Sequence, residues 1–223
     1  LTKTNHMFKK LLLVLFIAVL GLSAVLLYNT FRFPSAPAPR QALQISGIND
    51  SAALHLSEAL QIKTVSFGDT LAIDTAEFVK IRSFLESTYP AVHTQLPRMI
   101  FSEFSYVFTW KGKDTTLAPY VLMAHMDVVP VEAVAESKWS VPSFSGKILK
   151  DTIWGRGAVD DKASVIGIFE AVEQLLKENF QPQRTIYLCF GHDEEITGRR
   201  GAAKIAQWFK ENNIKPQLVV DEG

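Results

Sequence analysis

The chain has 223 residues, enough for one large domain or two small ones, and 48% of them are hydrophobic, ample for a folded core. Lysine plus arginine and aspartate plus glutamate balance at 23 each, and no arginine-rich stripe occurs, which excludes an electrostatic case for binding nucleic acid. The single cysteine, Cys189, rules out an internal disulfide; it lies in the apolar run Ile186 to Phe190 and reads as a buried strand residue.

Lys9 and Lys10 precede an uncharged stretch from Leu11 to Tyr28. That length reaches the lower part of the membrane-spanning range. The cationic flank predicts a cytoplasmic amino end, with everything after the stretch on the other side. The expected organisation is a cytoplasmic tail at 1–10, a transmembrane signal-anchor at 11–28, a proline-rich linker at 29–48 and a folded domain at 49–223. A cleaved signal peptide is the competing reading, and it would make the folded part secreted. Ala36-Pro37-Ala38 has the small-residue pattern of a cleavage site, but Pro39 after it hinders cleavage. A buried helix of a soluble protein is the third alternative. Pro34, Pro37 and Pro39 suit an extended spacer, and Asn49-Asp50-Ser51 matches a glycosylation sequon.

Ser51 to Ile62 and Thr75 to Thr88 read as helices, the second with Phe78, Ile81, Phe84 and Leu85 on one face. Tyr89-Pro90 ends it. Phe104, Tyr106, Phe108 and Trp110 alternate with polar or small residues, as in a strand. Tyr120 to Ala124 is a short apolar run. Asp161 to Glu178 has helical spacing through Val165, Ile168, Val172, Leu175 and Leu176. Thr185 to Phe190 is a second buried strand, and Gly198 to Asn212 a helix with Ile205, Trp208 and Phe209 inward. Leu218 to Val220 begins a third strand. Strands alternating with helices predict an α/β fold, a parallel-containing sheet flanked by helices.

Ligands of such sheets bind beyond the carboxyl ends of the strands. His125 follows the first of these strands, Glu194 and Glu195 the second, and Asp221 the third; Asp160 opens the helix after the turn Gly155-Arg156-Gly157. All therefore fall on one edge. Carboxylates repel one another, so their convergence calls for a cation between them. Imidazole with carboxylate oxygen suits zinc, with cobalt or manganese also compatible. Two ions about 4 Å apart need a shared carboxylate, and Asp160 is the candidate. Asp127, two residues past His125, is placed to orient its ring. Glu194 and Glu195, being adjacent, point differently, so that one can hold metal while the other moves a proton. His6, His55 and His93 read as non-catalytic, and His192 as a residue that shapes its loop.

Met123-Ala124-His125-Met126-Asp127-Val128-Val129-Pro130, Trp154 to Lys162, and Gly191 to Glu195 followed by Gly198 and Gly201 resemble the M20 family of metallopeptidases. The likeness is strongest to its carboxypeptidase S and N-acyl-amino-acid hydrolase branch, and strong from about Pro119 onward. Ser143 stands where a second proline is usual. The resemblance implies a zinc-peptidase-like catalytic domain that hydrolyses amide bonds in peptides or N-acyl amino acids. It implies two metals held by His125, Asp160, Glu195 and Asp221, with Glu194 as general base and Asp127 as orienting residue. It also implies a cis peptide between Asp160 and Asp161. The family's last ligand is a downstream histidine, with a lid or dimerisation domain before it. On that ground the catalytic domain is expected to be incomplete at its carboxyl end, this stretch alone to be inactive, and homodimerisation to belong only to a full-length form.

A non-catalytic interaction domain on a degenerate or truncated hydrolase scaffold is the alternative function. A dinucleotide fold is disfavoured because Asp160 stands where its third glycine belongs. A serine hydrolase is disfavoured because no Gly-x-Ser-x-Gly occurs.

Overall fold

A computed structural model describes residues 2–32, 51–68 and 72–222. The expected linker beyond residue 32 and the sequon at Asn49 lie outside them. The chain divides into two compact units, Leu1–Gly47 and Ile48–Gly223.

Among the described residues of the first unit a helix, α1, runs from Thr2 to Arg32. Its apolar segment, Met7–Arg32, is 26 residues long. At 1.5 Å per residue it rises about 39 Å, more than the ~30 Å hydrocarbon core of a bilayer. Its side chains from Met7 onward are exposed. The stretch expected at 11–28 sits inside this helix.

The second unit opens with α2 (Ser51–Gln61). A short antiparallel pair follows, β1 (Ser66–Phe67) with β2 (Ala72–Ile73). Helix α3 spans Thr75–Thr88, and Asp74 caps it through the amides of Ala76 and Glu77. Pro90 ends α3 as expected, yet it also starts a helix that periodicity did not reveal, α4 (Pro90–Gln95). Proline suits that first helical position, where its missing N–H costs nothing. The amides of Ala91 and Val92 at the start of α4 donate to the buried Glu173 carboxylate.

The main sheet combines β3 (Arg98–Phe101), β4 (Ser105–Trp110), β5 (Tyr120–His125), then β8 (Ile186–Gly191) and β9 (Leu218–Val220), in the order β3-β4-β8-β5-β9. Between β5 and β8 come α5 (Ala133–Glu136), the hairpin β6 (Lys147–Leu149) with β7 (Thr152–Trp154), and α6 (Lys162–Lys177); α7 (Ala202–Glu211) precedes β9. The sheet is mixed. β8, β5 and β9 run parallel, as expected of strands separated by helices, whereas β3 and β4 join antiparallel. The aromatic strand read at Phe104 to Trp110 is thus an internal strand of this same sheet.

Alternation along the strands splits the core between two faces. Tyr106, Phe108, Trp110, Leu188 and Phe190 pack beneath α2, α3, α4 and α6. Val107, Val121 and Cys189 face the other way, toward Ile205, with Trp208 and Phe209 of α7 partly buried over them. Cys189 is 1% exposed, and burial pushes its thiol up to about 12, which leaves an unreactive core residue. Phe169 of α6 centres the larger core. Its ring stacks on Phe190 at 4.6 Å and on Tyr89 at 5.1 Å, and meets Phe108 edge-on at 5.8 Å. Phe169→Ala is expected to lower the unfolding free energy by about 3–5 kcal/mol, read as a shifted urea midpoint. Phe169→Leu, which keeps most of the volume, should cost clearly less.

Candidate metal centre

β5 and β8 end together, with His125 opposite Gly191. The carboxyl rim of the parallel strands therefore presents His125 directly. Beyond β8 the chain makes one 3-10 turn, Glu194–Ile196, which carries Glu194 and Glu195. Asp160 stands just before α6, joined to Asp161 by a cis peptide as the resemblance implies. The preceding turn depends on Gly157, whose φ is +80° and where a Cβ would lie 2.4 Å from Cγ1 of Val128. Gly157→Ala is expected to lower stability by more than about 1 kcal/mol through the left-handed backbone alone, and further through the clash, in urea unfolding.

His125, only 3% exposed, turns Nε2 outward, 2.8 Å from Oδ1 of Asp160 and 3.2 Å from Oε2 of Glu222. Two groups of donor atoms gather there within 4.8 Å of one another: His125, Asp160 and Glu195 in one, His125, Glu194 and Glu222 in the other. Glu194 and Glu195 thus do serve different positions. The member common to both groups is His125, whereas Asp160 belongs to one. An imidazole Nε2 has a single lone pair for a metal, while a carboxylate offers two oxygens. Asp221 lines the same cleft, but its carboxylate accepts from the amide of Glu222 and stands outside both groups. Its sequence neighbour Glu222 enters the second group.

The donor set fits a divalent cation. Burial works against a charged imidazole, yet Asp127 and the Glu222 and Asp160 carboxylates overcome it and raise His125 to about 10. Glu195 is pushed up by burial and then by the charge of Asp160. Glu222 is raised by desolvation and by Asp160 and Asp161, against the pull of His125. Such a cluster holds more negative charge than it can neutralise, so it takes up protons or a cation. Zinc-type ligation needs the imidazole neutral and the carboxylates ionised, which a cation would enforce.

Behind His125, Nδ1 lies 3.0 Å from the carbonyl oxygen of Asp127 and 3.3 Å from its Oδ1. The wholly buried Asp127 carboxylate also accepts from the amides of Glu194 and Glu195, each at 3.1 Å, and from Oγ of Ser66 at 2.7 Å. Burial disfavours its charge, but His125 and Ser66 outweigh that and keep its pKa low. Asp127 therefore positions the glutamate turn as well as the imidazole. Two further buried groups were not visible in the sequence. Ser66 is one. Lys162 is the other: its Nζ donates to the carbonyls of Ala59 at 2.9 Å and Ile62 at 2.5 Å, and burial lowers it to about 7.

His55, His93 and His192 stay apart from the cluster. His192 is buried with Nδ1 2.6 Å from Oγ of Ser105, consistent with a loop-shaping part. His55 pairs with Glu170, and His93 accepts from Arg98 at 3.3 Å. The side chain of His6 lies outside the described residues.

Peptidase family M20/M25/M40 matches residues 121–223. Probable carboxypeptidase S-like 2 of Dictyostelium discoideum is 41% identical over 215 residues, covering 92% of this chain and 41% of that protein. The chain belongs to the M20 family of peptidases. A second M20-type relative, the N-fatty-acyl-amino acid synthase/hydrolase PM20D1 of Xenopus tropicalis, is 37% identical over 221 residues, covering 96% of this chain and 42% of its own length. The chain spans about two fifths of the length of these curated relatives. An M20 family metallo-carboxypeptidase from Sulfolobus solfataricus superposes with a TM-score of 0.59 at 22% identity, covering 78% of this chain and 38% of that one, and this likeness supports the fold.

Proposed function

We propose that the chain supplies the metal-binding part of an M20-type hydrolase that cleaves an amide bond in a peptide with a free carboxyl end or in an N-acylated amino acid. The observation that carries this reading is the convergence of His125, Asp160 and Glu195 at one strand edge. Printed names of relatives, carboxypeptidase S-like and N-fatty-acyl-amino acid synthase/hydrolase, support the substrate class. His125, Asp160, Glu195 and the Asp221–Glu222 pair would hold two zinc ions, or cobalt or manganese in their place, with Asp160 as the bridge.

When bound, the ions supply Lewis acidity and bring a water's pKa toward neutrality. Glu194, exposed at the rim, takes the proton from the attacking water and delivers it to the departing amine. Asp127 holds the imidazole with Nε2 toward the centre and keeps the glutamate turn in place through its amides.

Metal analysis of a full-length form separates these roles. Wild type should hold about two zinc per chain and Asp160→Ala one or none. Glu194→Ala should retain its metal and lose hydrolysis of an N-acyl amino acid or peptide; loss of both would assign Glu194 to ligation. Asp221→Ala and Glu222→Ala, compared for zinc content, decide which neighbour is the ligand.

We also propose that α1 anchors the protein as a single-pass helix with the catalytic part on the extracytoplasmic side. Its exposed apolar length and the preceding Lys9 and Lys10 support this reading. Alkaline carbonate extraction should leave the protein in the membrane pellet, and external protease should reach the second unit in intact cells. Release into the soluble fraction with loss of the amino-terminal residues would favour a cleaved signal.

A further inference from the structure

Asp127 is the only partner the family pattern offers for orienting the centre, yet a carboxylate has two oxygens and about four lone-pair sites to satisfy. All are occupied. Oδ1 takes the amide of Glu194 and faces Nδ1 of His125; Oδ2 takes the amide of Glu195 and the hydroxyl of Ser66. The residue is 0% exposed, so bulk water cannot readily replace a missing donor. Three of the four contacts lead to the proposed ligand and base residues. The fourth is the sole one that comes from outside them.

Ser66 is itself held by backbone hydrogen bonds. Its amide donates to the carbonyl of Val128 at 3.0 Å, and the amide of Val128 donates to Thr64 at 3.0 Å. The hydroxyl of Thr64 donates to the carbonyl of Met126 at 2.5 Å. Residues 64–66 are thus zipped alongside 126–128, and Ser66 is 1% exposed. They lie well before the family match at residues 121–223.

We propose that Ser66 is a positioning residue of the metal centre: its hydroxyl locks the rotation of the Asp127 carboxylate, which in turn fixes the His125 ring and the Glu194–Glu195 turn. This rests on the reading of the centre as a metal site. Without the hydroxyl, Oδ2 keeps only the Glu195 amide. The carboxylate can then turn about its Cβ–Cγ bond, and the ligands it orients lose their preset geometry. Partners of this kind, acting one step behind a ligand, set metal affinity by about 10–100-fold.

The test is zinc affinity of the whole chain in detergent, by competition with a chromophoric chelator, together with the melting temperature of the metal-stripped protein. Ser66→Ala should weaken zinc at least about tenfold while the stripped protein still melts cooperatively. Ser66→Thr, which restores the hydroxyl, should recover most of the affinity. Two results overturn the proposal while leaving the metal centre intact: wild-type affinity in Ser66→Ala, or a Ser66→Thr protein that regains its melting temperature and not its affinity. Failure of the wild type to bind zinc at all would instead sink the metal reading, and Ser66's part in it as well.

Discussion

The candidate centre depends on one buried carboxylate. Asp127 gathers donors from three separate segments: a hydroxyl from β1, an imidazole from the end of β5 and two amides from the turn after β8. Burial alone would raise its pKa and favour the neutral acid. The donors reverse that, so the site keeps a full negative charge one layer behind the residues that face solvent. Hydrogen bonds to an ionised acceptor are about twice as strong as neutral ones. The geometry of His125 and of the Glu194–Glu195 turn is therefore imposed from beneath.

Beneath this layer, the sheet makes the same region rigid. β8 is flanked by β4 on one side and β5 on the other, and both of its faces are covered. A strand in that position has no exposed edge from which to fray. Lys162 adds a tie from α6 to the end of α2 through the carbonyls of Ala59 and Ile62, which also accept the amides of Ile62 and Thr64. Residues that precede the family-matched segment by a long stretch of sequence are consequently part of the support for its metal-facing loops.

Much of this was legible before any coordinates. Alternation located β4, short apolar runs located β5 and β8, and helical spacing located α3 and α6, because each buries apolar side chains against a core. The carboxyl-edge rule then brought His125, Asp160, Glu194 and Glu195 to one place. What the sequence concealed has specific causes. Periodicity carries no strand direction, so the antiparallel entry of β3 and β4 was invisible. The helix expected from Gly198 starts only at Ala202, because Thr197 turns left-handed at φ +92° and the Asp193 carboxylate takes the amides of Arg200 and Gly201. Ser66 sits in an unremarkable Thr-Val-Ser-Phe run, and only the fold brings it to Asp127.

The parallel register of β5 with β8 has a consequence for how such a chain can vary. Adding or deleting one residue within either strand would exchange its two faces, pushing Val121 and Cys189 into the space of Leu122 and Leu188 and carrying His125 off the rim. The opposite end can take changes in length without shifting either face, in the connections 111–119 and 178–185, where the amides of Lys113 and Asp114 donate to the carbonyls of Pro182 and Gln183. Insertions and deletions among homologues should accumulate on that pole, remote from the chemistry, and leave the spacing from Tyr120 to His125 unchanged.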